Sequence, residues 1–131
     1  MSPDTLIDEL LDDARERMGK SVESTRHEFG SVRTGRASPA LLDRIMVDYY
    51  GASTALKQLV RVVRHIAEEG RVAIRNIRRD VMHDLREMKE AGETGSDDEH
   101  RAEVELQKVT DVRVTELDDL LKHKEAEILE V

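Results

Sequence analysis

Basic side chains are concentrated in one stretch of this chain, between Lys57 and Arg79. Seven lysines and arginines fall there, opposed only by Glu68 and Glu69, whereas the whole chain of 131 residues has a formal net charge of −8. A guanidinium group stays charged at physiological pH and can hold phosphate oxygens with two parallel donors. A local basic surface on an acidic chain therefore points to one specific contact with a polyanion.

The spacing of the arginines places them on one side of a helix. Successive members are mostly three, four or seven residues apart, and a helix turns by about 100° per residue. The arginine set is Arg61, Arg64, Arg71, Arg75, Arg78 and Arg79, and the apolar set on another side, roughly 120° away, is Val63, Ile66, Ile74, Ile77, Val81, Leu85 and Met88. On this pattern alone a solvated, ion-paired helix surface is the favoured interpretation, and a polyanion-binding face is the alternative.

Other kinds of site chemistry are not predicted. The chain has no cysteine, which excludes disulfide scaffolds, thiolate zinc sites and cysteine nucleophiles. Its histidines are scattered, and no cluster offers three or four metal ligands at usable spacing. The carboxylates flank no apolar pocket that would separate their pKa values for acid and base catalysis. We therefore expect neither a cofactor nor enzymatic activity.

The composition also bears on where the protein works. The first fifteen residues contain five carboxylates, which is the wrong sign of charge for a signal or transit peptide. No run approaches the roughly 20 apolar residues that a membrane span requires. The sequence predicts a cytoplasmic protein without membrane contact, and we expect a monomer.

The apolar pattern predicts three long helices. Charged residues make up 38% of the chain and aromatic residues 2%, so the core must be aliphatic and the structure mainly helical. Helix 1 is predicted over about 3–34, helix 2 over about 54–91 and helix 3 over about 96–130. Ser53 or Thr54 is the expected cap of helix 2, and the spacing of Ser96 and Glu99 predicts a capping box at helix 3. One apolar stripe per helix implies an all-α fold, a single antiparallel three-helix bundle over residues 1–131.

Two local features do not fit a simple bundle. Ile45 to Tyr50 is predicted as a strand ending at Gly51, yet the chain offers no second strand to pair with it. Residues 37–58 are therefore expected to contain a loop, an extended arm or a piece of a larger unit that is missing. Gly70 lies near the predicted core face, and its helix propensity is roughly 1 kcal/mol poorer than that of alanine. We expect Gly70→Ala to stabilise the fold.

Several segments resemble the ribosome recycling factor family. Residues 31–39, SVRTGRASP, with 41–43, LLD, and 47–52, VDYYGA, resemble the first hinge of that family and the strand that follows it. Residues 72–80, VAIRNIRRD, resemble its most recognisable segment, and residues 122–125, KHKE, resemble its C-terminal helix. The resemblance covers roughly residues 6–58 and 60–131.

The resemblance implies a role on the ribosome. Members of the family bind the large ribosomal subunit after termination and, with elongation factor G, separate the subunits. Arginines of their second bundle helix contact ribosomal RNA, and Arg75, Arg78 and Arg79 stand at the matching places. The RNA-binding set that we expect in this chain also includes Arg64 and Arg71.

The chain departs from the family between helices 1 and 2. The family has a small sheet-containing domain inserted there, and the resemblance places its first hinge at Arg33, Thr34, Gly35 and Arg36. Here the chain passes from the opening of that domain directly to the second bundle helix, with the junction near Leu59-Val60. With most of the insert missing, we expect ribosome binding with impaired recycling, and a partnership with elongation factor G is doubtful. A self-associating helical structural protein is the alternative.

Overall fold

Three helices form the part of the protein that the computed structural model describes, residues 3–32 and 49–129. Helix α1 spans Pro3–Ser31, α2 spans Tyr49–Glu90 and α3 spans Ser96–Leu129. These two ranges contain no strand, and the all-α prediction is confirmed. The predicted hinge, Arg33 to Arg36, lies outside the described residues, as do Ile45 to Asp48 of the predicted strand.

Helix α2 begins earlier than the sequence pattern indicates. It starts at Tyr49 rather than near Ser53 or Thr54, so the prediction that Tyr49 and Tyr50 end a strand is wrong. The β-branched and aromatic residues there favour a strand locally. A strand without a partner leaves its backbone groups unpaired, whereas a helix pairs them within its own segment. Continuing the helix backwards is therefore the better solution.

Helix α2 ends in a Schellman motif. The Glu93 N–H donates to the Met88 carbonyl at 2.9 Å, and the Gly92 N–H donates to the Lys89 carbonyl at 3.1 Å. Gly92 has a φ of 74°, in the left-handed region that glycine adopts without steric cost. This tight stop lets the chain reverse within residues 91–95 and start α3.

The start of α3 differs from the predicted capping box. The Glu99 N–H donates to the Gly95 carbonyl at 3.0 Å, so Gly95 holds the N-cap position. Ser96 is already the first helical residue and cannot be the cap. Three carboxylates in the first turn, Asp97, Asp98 and Glu99, lie where the positive end of the helix dipole favours negative charge.

The three apolar stripes meet in one aliphatic core. The largest side chains with almost no exposure come from all three helices: Met18, Val22, Val63, Ile74, Val81, Leu85, Leu106, Leu117 and Ile128. Burial of each such side chain contributes roughly 1.5–3 kcal/mol. The core therefore extends along most of the described bundle.

Polar contacts between helices establish their directions. From α1 to α2 the residue numbers run in opposite senses, since Arg17 pairs with Asp80 and the Thr25 side chain lies against Gly70. Helices α2 and α3 are related in the same way, because Arg64 pairs with Glu125 and Arg71 with Asp118. Helix α2 is thus antiparallel to both neighbours.

Gly70 lies where all three helices approach closely. A Cβ atom on Gly70 would be 2.5 Å from Thr25 Oγ1 and 2.6 Å from Leu117 Cδ1. Thr25 is 3% exposed and Leu117 is fully buried, so neither side chain has free space to move into. The expected stabilisation by Gly70→Ala is therefore wrong, because a tertiary clash opposes the gain in helix propensity.

Candidate nucleic-acid interface

The five predicted RNA-binding arginines all project from α2 and are all at least partly accessible. Arg64, Arg75 and Arg79 are exposed, whereas Arg71 and Arg78 are half-buried. We call these five residues the arginine face. Helical periodicity alone brings them to one side of α2, but their surroundings divide them into two groups.

The first group is tied to carboxylates. Arg64 Nε lies 2.6 Å from Glu125 Oε1, and Arg71 donates to Asp118 Oδ1 from Nη2 at 2.7 Å and from Nε at 2.9 Å. These two contacts join α2 to α3. Within α2, Glu68 accepts from Arg75 at 2.7 Å and from Arg71 at 3.2 Å.

Hydrogen bonds within this group shift the pKa values of Glu68, Arg64 and Arg71 in the direction that favours their charged forms. Donation from Arg75 and then from Arg71 lowers the pKa of Glu68. The hydrogen bond to Glu125 raises the pKa of Arg64. Burial, the largest single influence on Arg71, lowers its pKa, but its bonds to Asp118 and Glu68 outweigh that and raise it overall. These shifts favour the charged forms of Glu68, Arg64 and Arg71, which are held by their intramolecular partners.

The second group is free to meet another anion. Within residues 3–32 and 49–129, Arg78 and Arg79 form no ion pair or side-chain hydrogen bond. Arg78 and Arg75 line a surface cleft of about 440 Å³ between α2 and α3, with Gln107, Asp111 and Thr115 on the α3 side. The uncommitted guanidinium groups thus stand beside a concave surface that also carries amide, hydroxyl and carboxylate groups.

The basic surface continues one turn further than the sequence analysis placed it. A second cleft, of about 270 Å³, is lined by Arg78, Arg79, Met82, His83 and Arg86. Arg86 was missed, although its seven-residue step from Arg79 puts it on the same side of the helix. Its Nε lies 3.6 Å from Glu103 Oε1 on α3. Gln107 and Thr115 were also missed, and only the packing of α3 against α2 could reveal them.

The arrangement suits contacts to phosphate groups better than stacking on bases. The chain has no tryptophan, and among the side chains that the structure describes the one phenylalanine or tyrosine ring, that of Phe29, is 4% exposed in the core. Stacking platforms for bases need accessible aromatic rings. Guanidinium groups along a helix can instead follow a phosphate backbone. In the described part of the chain, no group of three or more potential ligands could hold a metal ion and no helix is long and apolar enough to span a membrane.

The fold and this surface define a class of protein: a small helical bundle, acidic overall, with one strongly basic side. The sequence model of the family "Ribosome recycling factor" matches residues 25–63 and 57–129 of the chain. These matches include the whole arginine face. The chain belongs to the ribosome recycling factor family.

Curated relatives agree with this membership. The ribosome-recycling factor of Rubrobacter xylanophilus is 37% identical over 180 residues, covering 92% of this chain and 97% of the relative. That of Clavibacter sepedonicus is 36% identical over 185 residues, covering 95% of this chain and 99% of the relative. That of Salinispora tropica is 33% identical over 185 residues, covering 96% of this chain and all of the relative. They support the recycling-factor interpretation and not the self-associating structural alternative.

The alignments also show that this chain is shorter than the relatives it matches. An alignment of 180 positions that uses 92% of a 131-residue chain leaves about a third of its positions occupied by the relative alone. The two family matches overlap at residues 57–63, a range that contains the junction placed near Leu59-Val60. The chain is a family member that lacks about a third of the positions of that alignment.

Proposed function

We propose that the arginine face binds phosphate groups of ribosomal RNA on the large subunit, and that the protein thereby acts at the recycling step after termination. The observation that carries this proposal is the state of Arg78 and Arg79, which form no ion pair within the described residues of an otherwise acidic protein. Membership of the ribosome recycling factor family supports the ribosome as the place where this contact is made.

The charge distribution supports one mode of approach. A body with a net charge of −8 is repelled by RNA in most orientations and attracted when the arginine face leads. Contacts made by guanidinium groups on a rigid helix recognise the backbone and shape of folded RNA rather than its sequence. Binding of this kind releases counterions, so its affinity falls as the salt concentration rises.

The five arginines have different parts in this proposal. Arg78 and Arg79 contact phosphate directly, because no carboxylate of the described residues has to be displaced first. Arg75 shares its charge with Glu68 at 2.7 Å and adds a weaker contact. Arg64 and Arg71 mainly hold α3 against α2 through Glu125 and Asp118, and reach RNA only in competition with those carboxylates.

We also propose that this protein is a non-enzymatic factor and that it works as a monomer in the cytoplasm. The family consists of translation factors rather than enzymes, and the arginine face offers charge and shape, not a reacting group. Light scattering is expected to give the mass of one chain, 14.9 kDa. A dimer mass would contradict the monomer.

Sedimentation with purified large ribosomal subunits over a series of salt concentrations tests the RNA contact. The chain is expected to co-sediment at low salt and to be released as salt rises. Arg78→Ala removes a charge-assisted hydrogen-bonding group worth about 1.5–3 kcal/mol, so affinity should fall by about tenfold or more. The slope of log affinity against log salt should become shallower by about one.

A matched substitution separates this contact from general charge effects. Arg101→Ala removes the same charge from an exposed position on α3, where Asp98 of the same helix, at 3.8 Å, is the arginine's one ion-pair partner within the described ranges. It is expected to leave affinity and salt slope nearly unchanged. Equal weakening by Arg78→Ala and Arg101→Ala, or binding that ignores salt, would refute the proposed role of the arginine face.

A further inference from the structure

An apolar groove lies between α1 and α2 at the end of the bundle that carries the α2–α3 turn. It has a volume of about 500 Å³, and its apolar lining residues are Leu6 and Leu10 of α1, Met88 of α2 and Ala91 of the turn that follows α2. Leu6 and Leu10 are only partly buried. The spacing of four between the leucines follows one face of α1. The groove therefore presents accessible apolar surface along more than one helical turn.

Carboxylates surround this apolar surface. The remaining lining residues are Glu9, Asp84, Glu87 and Glu93, and all four are exposed. Glu87 pairs with His83 of its own helix at 3.0 Å. For Glu9, Asp84 and Glu93 no cationic partner lies within the described ranges. We call the four apolar and four acidic residues together the acidic groove.

The sequence around the groove strengthens its negative field. The α1 segment from Asp4 to Asp13 contains five carboxylates and no lysine or arginine. Along α2, Asp84 falls on the side opposite Arg75 when positions advance by about 100° per residue. An anion on the arginine face therefore leaves the acidic groove open, and the groove itself repels nucleic acid.

We propose that the acidic groove binds a lysine- and arginine-rich amphipathic helix of a protein partner. An amphipathic helix places its apolar face in a groove between two helices through residues at i, i+3, i+4 and i+7. Met88 can adapt its flexible side chain to such anchors. Flanking lysines and arginines of the partner would meet the uncompensated carboxylates, which gives orientation and a fast encounter.

Charge complementarity favours this occupant over the two others that the groove could meet. RNA presents phosphates to carboxylates and is repelled. A second copy of this chain has the same net charge of −8 and would on balance be repelled by the carboxylates of the groove. A basic helix is complementary to both the apolar and the charged part of the groove.

The inference is tested by titrating the intact chain with a peptide and following the NMR signals of its methionine methyl groups. The probe is a lysine–leucine peptide of about 14 residues, roughly four helical turns, with its leucines on one face. The protein carries ¹³C-methyl methionine: Met88 lines the acidic groove, Met82 lines the cleft beside Arg79, and Met18 is fully buried. Titration is expected to shift the Met88 methyl signal in a saturable way and to leave Met82 and Met18 unchanged.

Two charge-reversed variants of equal net charge show whether the groove itself is responsible. Glu9→Lys with Asp84→Lys changes two exposed lining residues and is expected to weaken peptide binding by about tenfold. Glu28→Lys with Asp119→Lys changes two exposed carboxylates outside the groove, and its effect should stay below about twofold because salt screens distant charges. All four positions are exposed, so folding is expected to be preserved in both variants.

Several results would overturn the inference. One is an unchanged Met88 signal at millimolar peptide. Another is equal weakening by the two variants, or equal binding of a peptide with the same composition and scattered leucines, since either means general charge attraction. A Met88 shift that depends on protein concentration without peptide would assign the groove to a second copy. Ribosome binding through Arg78 is measured separately and can succeed or fail independently.

Discussion

Two arginines seven residues apart on α2 show how identical side chains acquire different roles. Arg71 gives two hydrogen bonds to Asp118 and one to Glu68, whereas Arg78 has no such partner within the described residues. Periodicity in the sequence places both on one side of the helix. The carboxylate that occupies Arg71 is 47 residues away along the chain, so no local pattern could distinguish the two. The candidate site was thus predictable as a surface but not in its division between structural and available arginines.

Gly70 gives a prediction at the same scale. Gly70→Ala is expected to destabilise the fold by up to about 2 kcal/mol, because a clash of about 1–3 kcal/mol opposes the roughly 1 kcal/mol gained in helix propensity. The clash is with Thr25 Oγ1 and Leu117 Cδ1, at 2.5 and 2.6 Å from the added Cβ. The midpoint of urea unfolding measures this change.

Gly30→Ala is the matched control for that substitution. Gly30 is also helical, but nothing lies within 4 Å of an added Cβ, so alanine there should stabilise by a few tenths to about 1 kcal/mol. If the two alanine variants are stabilised equally, the close approach of the three helices at Gly70 does not exist in solution.

At the scale of elements, apolar periodicity predicted the three helices because each buries one long stripe. The ends of the helices were less predictable. Tyr49 and Tyr50 favour a strand by propensity, yet the described chain gives them no ladder, and α2 extends through them. Ser96 has the chemistry of a cap, but the Schellman turn at Gly92 sets where the backbone enters α3, and Gly95 becomes the cap. At both helix ends, the local preference of a residue for a strand or a cap is overridden because the neighbouring element determines the path of the backbone.

The first turn of α3 supplies a prediction about pH. Glu99 is 6% exposed, and a hydrogen bond with Glu103, then burial, then the charge of Glu103 raise its pKa against the opposing influence of Lys89 and Arg86. An acid with a raised pKa in the folded state binds more protons folded than unfolded. Stability is therefore lost as pH rises from the unfolded value, near 4.5, through the folded one. Glu99→Gln should remove that loss.

Unfolding free energies of Glu99→Gln and the parent chain between pH 4 and 7 measure this effect. The difference should move in favour of the variant as pH rises. Asp97→Asn removes one exposed charge from the same turn and controls for the helix dipole. A difference between parent and Glu99→Gln that stays flat over this range would contradict the raised pKa.

At the scale of the whole molecule, charge and connectivity act together. The acidic body and the basic side give the protein one favourable orientation on a polyanion, and the described residues form three packed helices although about a third of the alignment with the Rubrobacter xylanophilus relative is occupied by that relative alone. The resemblance to the family implies that the missing residues form a domain that couples splitting to elongation factor G. We therefore infer that affinity for the ribosome and the ability to split it are separable, because the first is proposed to depend on the arginine face and the second on that domain.

This separation predicts that the chain inhibits recycling. Added to ribosomes with a full-length recycling factor and elongation factor G, it should slow subunit splitting in proportion to the share of sites that it occupies, because occupied ribosomes lack the coupling domain. Light scattering of the ribosomes follows the splitting rate. Arg78→Ala should inhibit only at concentrations about tenfold or more higher, in line with its weaker binding. Splitting at normal rates by this chain with elongation factor G alone would show instead that the bundle suffices for both binding and coupling.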